Sequence, residues 1–466
     1  MPLFRRIRLP SSVERQSFHV RPSAPDARQF ETPLNGYDAA FFFVKDVPIC
    51  LEWRGARAIE FDDLRRGLER ALDRVPIVAG RVVMRGRNLQ ASNAGSAGCL
   101  LQYERLDRKM PDLTSSRGAW RRYGVPLPLV PAHITEPFRR PLLSARLARF
   151  SDGCLLFITF SHAIFDGWSC TRFLEIWSWE TARSAARDSA SELPAENPID
   201  PDCRHRRFAP TDALQVPASS SRLTRWGALQ LASLFSLRNV IDREADIAFS
   251  RAEWEALTAS VRGALDGERR ISSFEALVAH LAEGIVKIAP GAGDFHGQVI
   301  TNFRGRSPLV APNHFGVAVP ANTFRMEREA PVHHKARQLH DTLRQGLAER
   351  SALEAQILVP DKHGAGQSGR FGMLQRLRNL GLFRDALLMR RPLFNSWVSF
   401  DWRNGSFGCG TKPGRLHVAR GFSAPGMFFV YQTADDSFVL RLKLPWAQLN
   451  RFVDMLPFAA AGQRSV

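Results

Sequence analysis

The stretch His162-Ala-Ile-Phe-Asp-Gly167 constrains the fold most, because the residue pattern changes from strand to helix across it. Residues 154–160 (CLLFITF) form a short apolar run that is typical of a buried strand. Beyond Gly167 the apolar residues recur at helical spacing, and Asp166 or Ser169 can cap that helix. We therefore expect His162 to lie in a short loop between a core strand and a helix, where a side chain can face a cleft.

The residue types in this loop fit proton transfer. The imidazole of His162 suits proton abstraction from a hydroxyl or an amine, since its ordinary pKa lies close to neutral pH. Asp166 is better interpreted as an anchor than as a second catalyst, and Gly167 permits a tight turn or a close approach of backbone. A histidine at a strand end is also commonly a hydrogen-bonded structural residue, so the motif alone leaves both interpretations open.

Six further segments stand in a fixed order around His162, Asp166 and Gly167. They are a helix with a Pro-x-x-Ala-Gly-Arg turn (64–81), a Ser/Thr-Phe-x-x-Leu-x-Ala-His helix start (271–280), an Arg-x-Arg strand (302–306), a Phe-Gly turn (313–316), an Asn-Ser-Trp segment (395–397) and a Phe-Gly-x-Gly segment (406–410). Together with the His-x-x-x-Asp-Gly motif, this set resembles the BAHD family of acyl-CoA-dependent acyltransferases. Each segment is a weak signal alone, but their order makes the set specific.

The resemblance implies an α/β (α+β) fold of two similar-sized lobes. Each lobe would be a mixed sheet flanked by helices, similar to chloramphenicol acetyltransferase, with the active-site channel between the lobes. A stretch rich in proline and serine, 184–221, is the obvious linker. We therefore predict an N-terminal lobe over 1–187 that carries the motif, a linker over 188–221 and a C-terminal lobe over 222–466. We also expect the segment at about 373–405 to pack against the N-terminal lobe.

The resemblance also implies a mechanism. His162 would act as the general base in direct transfer from acyl-CoA, a co-substrate, to a hydroxyl or amine of a small molecule, with no covalent intermediate and no permanently bound cofactor. The indole N–H of Trp397 would donate to the oxyanion or orient the acceptor, although core packing explains a tryptophan there nearly as well. Asp166 would turn away from the cleft and pair with Arg304 or Arg306. Since residues two apart on a strand share a face, the sequence does not choose between them.

Two departures from the family pattern affect the 406–410 segment. Ser406 stands where the family has an aspartate, and Cys409 stands where it has a tryptophan. In the family this segment is understood to hold the lobes together at a distance from the chemistry. We therefore expect an altered structural contact, with Asp401 as a candidate to replace the lost ion pair.

Two other functions remain as alternatives. One is a condensation-type enzyme that uses a carrier-bound thioester, but such enzymes normally place a second histidine before the catalytic one, where this chain has Ser161. The other is a catalytically silent paralogue that binds a metabolite, which the altered 406–410 segment favours and the intact motif disfavours.

The composition adds limits on partners. The formal charge is +18, but the basic residues form short scattered clusters without a nucleic-acid-binding motif, so we predict no nucleic-acid partner and assign part of the charge to attracting CoA phosphates. No apolar run is long enough for a membrane span, and no spacing of histidines and cysteines indicates a metal site. Six scattered cysteines are typical of a reducing compartment, so we expect a cytoplasmic protein. We also expect a monomer.

Overall fold

The computed structural model describes residues 14–24, 31–34, 46–55, 59–85, 88–92, 98–113, 120, 139–186, 237–238, 241–265, 271–288, 291, 293–306, 312–319, 321–358, 390–456 and 464–465. The elements, in chain order, are β1 (Glu14–Val20), β2 (Glu31–Pro33), β3 (Val47–Arg54), α1 (Phe61–Arg74), β4 (Arg81–Arg85), β5 (Asn88–Ser92), β6 (Cys99–Arg105), β7 (Leu143–Phe150), β8 (Gly153–Phe160), α2 (Gly167–Ala185), β9 (Asp242–Ser250), α3 (Arg251–Gly263), α4 (Ser273–Ile288), β10 (Phe295–Ile300), β11 (Ala321–Met326), α5 (Val332–Leu358), β12 (Leu393–Ser396), β13 (Arg415–Val418), β14 (Met427–Ala434), β15 (Ser437–Pro445), α6 (Trp446–Asp454) and β16 (Arg464–Ser465).

The first large sheet has the strand order β1-β6-β7-β8-β3-β13. It is mixed, since β6 and β7 run parallel while β7 and β8 form an antiparallel hairpin. Strand β8 is buried along its whole length, as its continuous apolar sequence predicts. The predicted strand before the His-x-x-x-Asp-Gly motif is therefore a central strand of this sheet, which gives the motif a rigid base.

Helices α1 and α2 pack together beside this sheet. The buried face of α1 carries Leu64, Leu68 and Leu72 at helical spacing, as the amphipathic pattern of the segment predicts. The indole Nε1 of Trp177 donates a 3.0 Å hydrogen bond to the carbonyl of Leu64. A Cβ on Gly67 would lie 2.6 Å from the backbone of α2, so only glycine permits this close helix contact. The packing fixes the direction in which α2 leaves the motif.

The second large sheet has the order β11-β10-β12-β14-β15-β9-β16. It is also mixed, because β10, β12 and β14 run parallel and their neighbours run antiparallel. Its outer face packs against α3, α4, α5 and α6 in a separate core. Strands β2, β5 and β4 form a small third sheet in that order. The prediction of two lobes, each with a mixed sheet and flanking helices, is confirmed.

The chain after the second sheet's β12 returns to the first sheet. Strand β13 pairs antiparallel with β3, so that Val418 lies opposite Ile49. Of the segment expected at about 373–405, residues 390–405 are described; β12 within it belongs to the second sheet, while Asn404 donates to Glu175 of α2. The predicted boundaries at 187/188 and 221/222, and the linker over 188–221, lie outside the described residues.

Five of the six cysteines fall in the described ranges, at positions 50, 99, 154, 170 and 409, and all five are buried free thiols. None of the helices in the described part of the chain is long and apolar enough to cross a bilayer.

Candidate active site

The loop that carries His162 begins where β8 ends and closes where α2 starts. The carboxylate of Asp166 caps α2 by accepting a 2.9 Å hydrogen bond from the backbone N–H of Ser169. This cap satisfies a helix N–H that has no partner within the helix. Around Asp166 the loop is buried, whereas His162 is partly exposed. The predicted arrangement of strand, histidine loop and helix is present.

Asp166 forms a buried ion pair with Arg304 of the second lobe. The Nη1 of Arg304 donates to one carboxylate oxygen at 2.7 Å and its Nη2 donates to the other at 3.1 Å. The backbone N–H of Ala318 adds a third donor at 3.0 Å. The side chains of both charged residues are at most 2% exposed. Asp166 therefore faces the interior and joins the two lobes.

The segment around Arg304 differs from the predicted Arg-x-Arg strand. Strand β10 ends at Ile300, and the backbone N–H of Arg306 donates back to the carbonyl of Phe303 at 3.0 Å, which closes a β-turn. Gly305 within it has φ +68°, a conformation that favours glycine. The turn breaks the alternation of a strand, so Arg304 points inward while Arg306 is exposed. The expectation that both arginines share one face is wrong, and Arg306 lies outside the pair.

Ser169 and the 314–318 segment complete the environment of Arg304. The Oγ of Ser169 accepts from the backbone N–H of Gly316 and from Arg304 Nη2, each at 3.1 Å. Arg304 also donates to the backbone carbonyls of His314 at 2.7 Å and Gly316 at 2.5 Å. The sequence predicts Ser169 only as a helix cap and indicates no role for His314. The Asn-His-Phe-Gly segment is the sequence signal for this contact.

Charges and burial set the protonation of these groups. Burial alone would raise the pKa of Asp166, but the charge and hydrogen bonds of Arg304 hold that pKa below its usual range. Burial lowers the pKa of His162, opposed by the negative charges of Asp166 and Asp46. Burial, together with the charge of Arg304, lowers the pKa of His314 to about 3. His162 is therefore a neutral imidazole at neutral pH, which is the form that a general base requires.

Trp397 follows β12 and lies against the motif. Its Nε1 is 3.3 Å from the position that a Cβ on Gly167 would occupy, and the ring of Phe400 is 2.6 Å from the same position. The indole packs on Trp402 and Phe429, each with ring centroids 4.5 Å away. Gly167 is thus required by close packing, and Trp397 is both a core residue and a neighbour of the histidine loop.

The 406–410 segment holds to the first lobe through Phe407. The backbone N–H of Phe407 donates a 2.9 Å hydrogen bond to the Oγ of Ser178 in α2, and the Phe407 ring packs edge-on against Trp177. Phe407 adopts φ +48°, which is unusual for a residue with a side chain. Asp401 is exposed, and no ion pair of its side chain is found among the described residues. A metal-binding group of three or more His, Cys, Asp or Glu residues is also absent from the described part of the chain.

Comparison with known proteins agrees with this architecture. A model of the Transferase family matches residues 16–281, more than half of the chain. Tryptamine hydroxycinnamoyltransferase 2 of Oryza sativa subsp. japonica is 25% identical over an alignment of 293 residues that covers 58% of this chain and 59% of that protein. The chain therefore spans about three fifths of the length of this curated relative.

Solved structures show the same fold at low sequence identity. Vinorine synthase is 14% identical with a TM-score of 0.63, over 96% of this chain and 98% of that one. TRI101 of F. graminearum, complexed with coenzyme A and T-2 mycotoxin, is 14% identical with a TM-score of 0.68, over 93% and 99%. These structures share with this chain an architecture of two sheet-containing lobes. The chain belongs to the Transferase family, the BAHD acyltransferases, and this confirms the resemblance of its motifs.

Proposed function

We propose that this protein transfers an acyl group from acyl-CoA to a hydroxyl or amine of a small molecule, with His162 as the general base. The observation that carries the proposal is the contrast in burial and pairing between Asp166 and His162. Asp166 is committed to Arg304 in the interior, while His162 stays partly exposed with a lowered pKa. A neutral, accessible imidazole beside a rigid strand end has the features of a positioned base.

The proposed reaction is a direct transfer within a ternary complex. His162 takes the proton of the acceptor's O–H or N–H as that atom forms a bond to the thioester carbonyl carbon. The carbonyl oxygen becomes an oxyanion, and the tetrahedral intermediate then breaks its C–S bond. The imidazolium returns the proton to the departing thiolate, so that free CoA and the acylated product leave and His162 is neutral again. A base of this kind contributes about 10²- to 10⁴-fold.

Trp397 is our candidate for the donor that orients the acceptor or stabilises the oxyanion. The support is its position, since its indole Nε1 lies next to Gly167 in the motif. A single donor of this type is worth roughly 3 to 4 kcal/mol in the transition state. The formal charge of +18 supports attraction of the phosphates of CoA.

The curated relative is named for transfer to tryptamine, an amine, so amines and hydroxyls both belong in the test. We propose a specialised metabolite as the acceptor and a monomer in the cytoplasm as the working form, with no metal and no bound cofactor.

The test is incubation of pure protein with a panel of acyl-CoAs and with hydroxylated and amine acceptors, read by mass spectrometry of product and free CoA. We expect product from the wild type and a loss of about 10³-fold or more in His162→Ala. His296→Ala, at an exposed position of β10, is the matched control and should keep wild-type activity. More than roughly a tenth of wild-type turnover in His162→Ala would refute the assignment of the base.

Two further outcomes would contradict the assignment of acyl-CoA as the donor or the transferase activity itself. If free acyl-CoAs fail and a carrier-bound thioester is consumed, the protein is a condensation-type enzyme. If a metabolite binds and neither donor is consumed, it is a silent binding paralogue.

A further inference from the structure

The starts of β3 and β7 and the end of β8 lie side by side at the end of the first sheet where His162 is located. Val47, which begins β3, pairs with Phe160, which ends β8, and Leu143, which begins β7, pairs with the same residue from the other side. The backbone N–H of Ser161 donates to the carbonyl of Leu142 at 2.8 Å and continues this pairing. Residues just before β3 and β7 are therefore held beside the histidine loop.

An ion pair lies at this end of the sheet. Asp46, immediately before Val47, accepts from Nη1 of Arg140 at 3.4 Å. The Asp46 side chain is 11% exposed and the Arg140 side chain is 28% exposed, so the pair is only partly screened by water. Val47, the next residue, pairs with Phe160, so Asp46 lies near the start of the loop that carries His162.

Arg81, the last residue of the Pro-x-x-Ala-Gly-Arg segment, fixes the other half of this pair. Its Nη1 donates to the carbonyls of Gly80 and Gly98, both at 2.9 Å, and its Nε donates to the carbonyl of Arg139 at 3.2 Å. One guanidinium thus ties three backbone segments together and holds the residue before Arg140. The function proposed above gives Arg81 no part in the chemistry, but its contacts determine where Arg140 stands.

The carboxylates that act on His162 are Asp166 from the motif loop and Asp46 from the start of β3. Asp166 is compensated by Arg304 at 2.7 Å, with both side chains buried. The pair of Asp46 and Arg140 is longer and more exposed than the pair of Asp166 and Arg304, and the negative charge of Asp166 has a larger effect on the pKa of His162 than that of Asp46. Both carboxylates oppose the effect of burial on the pKa of His162.

We propose that Asp46 is a positioning carboxylate that stabilises the imidazolium of His162 during acyl transfer, and that Arg140, held by Arg81, limits the strength of this stabilisation. The inference rests on the proposed function for its consequence in catalysis. Its electrostatic part concerns the titration of His162 and can be measured whether or not the protein is an acyltransferase.

The first measurement is therefore independent of activity. Diethyl pyrocarbonate reacts with neutral imidazole, so the rate of modification of His162, followed by mass spectrometry of its peptide from pH 5 to 8, reports its titration midpoint. Asp46→Asn should lower this midpoint by about 0.5 pH unit and Arg140→Gln should raise it by a similar amount, because they remove opposite charges. The matched control is Asp294→Asn, which removes an acid just before β10 that pairs with the exposed Arg325 of β11. This variant should leave the midpoint of His162 unchanged.

The second measurement is the pH dependence of kcat with the acyl-CoA and acceptor that the wild type uses. Its acidic limb should move in the same direction as the modification midpoint in each variant, with a lower plateau for Asp46→Asn. A merely structural pair would instead lower the melting temperature in both variants and leave both midpoints at the wild-type value, and that result would overturn the proposal. Shifts of equal sign would do so as well. Opposite shifts of the modification midpoint in the two variants, together with a wild type that has no transferase activity, would support the electrostatic role and reject the proposed function.

Discussion

Replacement of Asp166 by asparagine tests the interior ion pair with almost no change in shape. Asp166 accepts four hydrogen bonds, two from Arg304 and one each from the backbone N–H groups of Ser169 and Ala318. Asparagine has one acceptor oxygen, so its amide must face some of these donors and lose their bonds. The Arg304 side chain, 2% exposed, is then an uncompensated buried cation. We expect a destabilisation of about 3 to 5 kcal/mol.

The assay is thermal and urea unfolding of wild type and variant at pH 7. For lobes of this size the expected loss corresponds to a drop of roughly 6 to 20 °C in Tm. Asp294→Asn removes an ion pair whose arginine is 71% exposed and should cost less than about 1 kcal/mol. Asp166→Asn and Arg304→Met should also be non-additive by more than about 1 kcal/mol, because the two residues share one contact. An unchanged Tm together with lost turnover would refute the structural role and make Asp166 part of the chemistry.

Three further predictions follow from the packing and the charges. In the folded protein the pKa of His314 is about 3, whereas its ordinary value is near 6.5, so the unfolded chain takes up this proton first as the pH falls. The free energy of unfolding should therefore decrease by about 2 kcal/mol by pH 5, measured by urea unfolding at a series of pH values. His314→Gln should lack this decrease. Gly167→Ala puts a Cβ 2.6 Å from the ring of Phe400, so turnover and Tm should both fall, and an unaltered variant would contradict the packing. Phe407→Ala removes a buried ring and should destabilise by about 3 to 5 kcal/mol in urea unfolding, whereas a change under 1 kcal/mol would show that this segment does not hold the lobe.

The local architecture around the motif could be derived from the sequence alone. A continuous apolar run specifies a buried strand, helical spacing specifies the next element, and an aspartate at their junction specifies a helix cap. These signals act within about ten residues of one another, so the neighbouring sequence carries them completely. The ordered family motifs extended this to two lobes with mixed sheets, which the structure contains.

Contacts between distant residues depended on the tertiary structure. Asp166 and Arg304 are 138 residues apart, and the choice between Arg304 and Arg306 was decided by a turn at Gly305 that the period-two pattern of a strand does not anticipate. No sequence motif indicates the pair of Asp46 and Arg140, since it depends on the starts of β3 and β7 lying beside the end of β8.

The physical reason is the range of the interactions. Propensity and capping depend on chain neighbours, which the sequence lists in order. An ion pair depends on a distance of a few ångströms between side chains, and its strength depends on how far the folded chain removes them from water. The sequence by itself therefore determined that a histidine stands at the end of a core strand. Only the fold decided which charges surround that histidine.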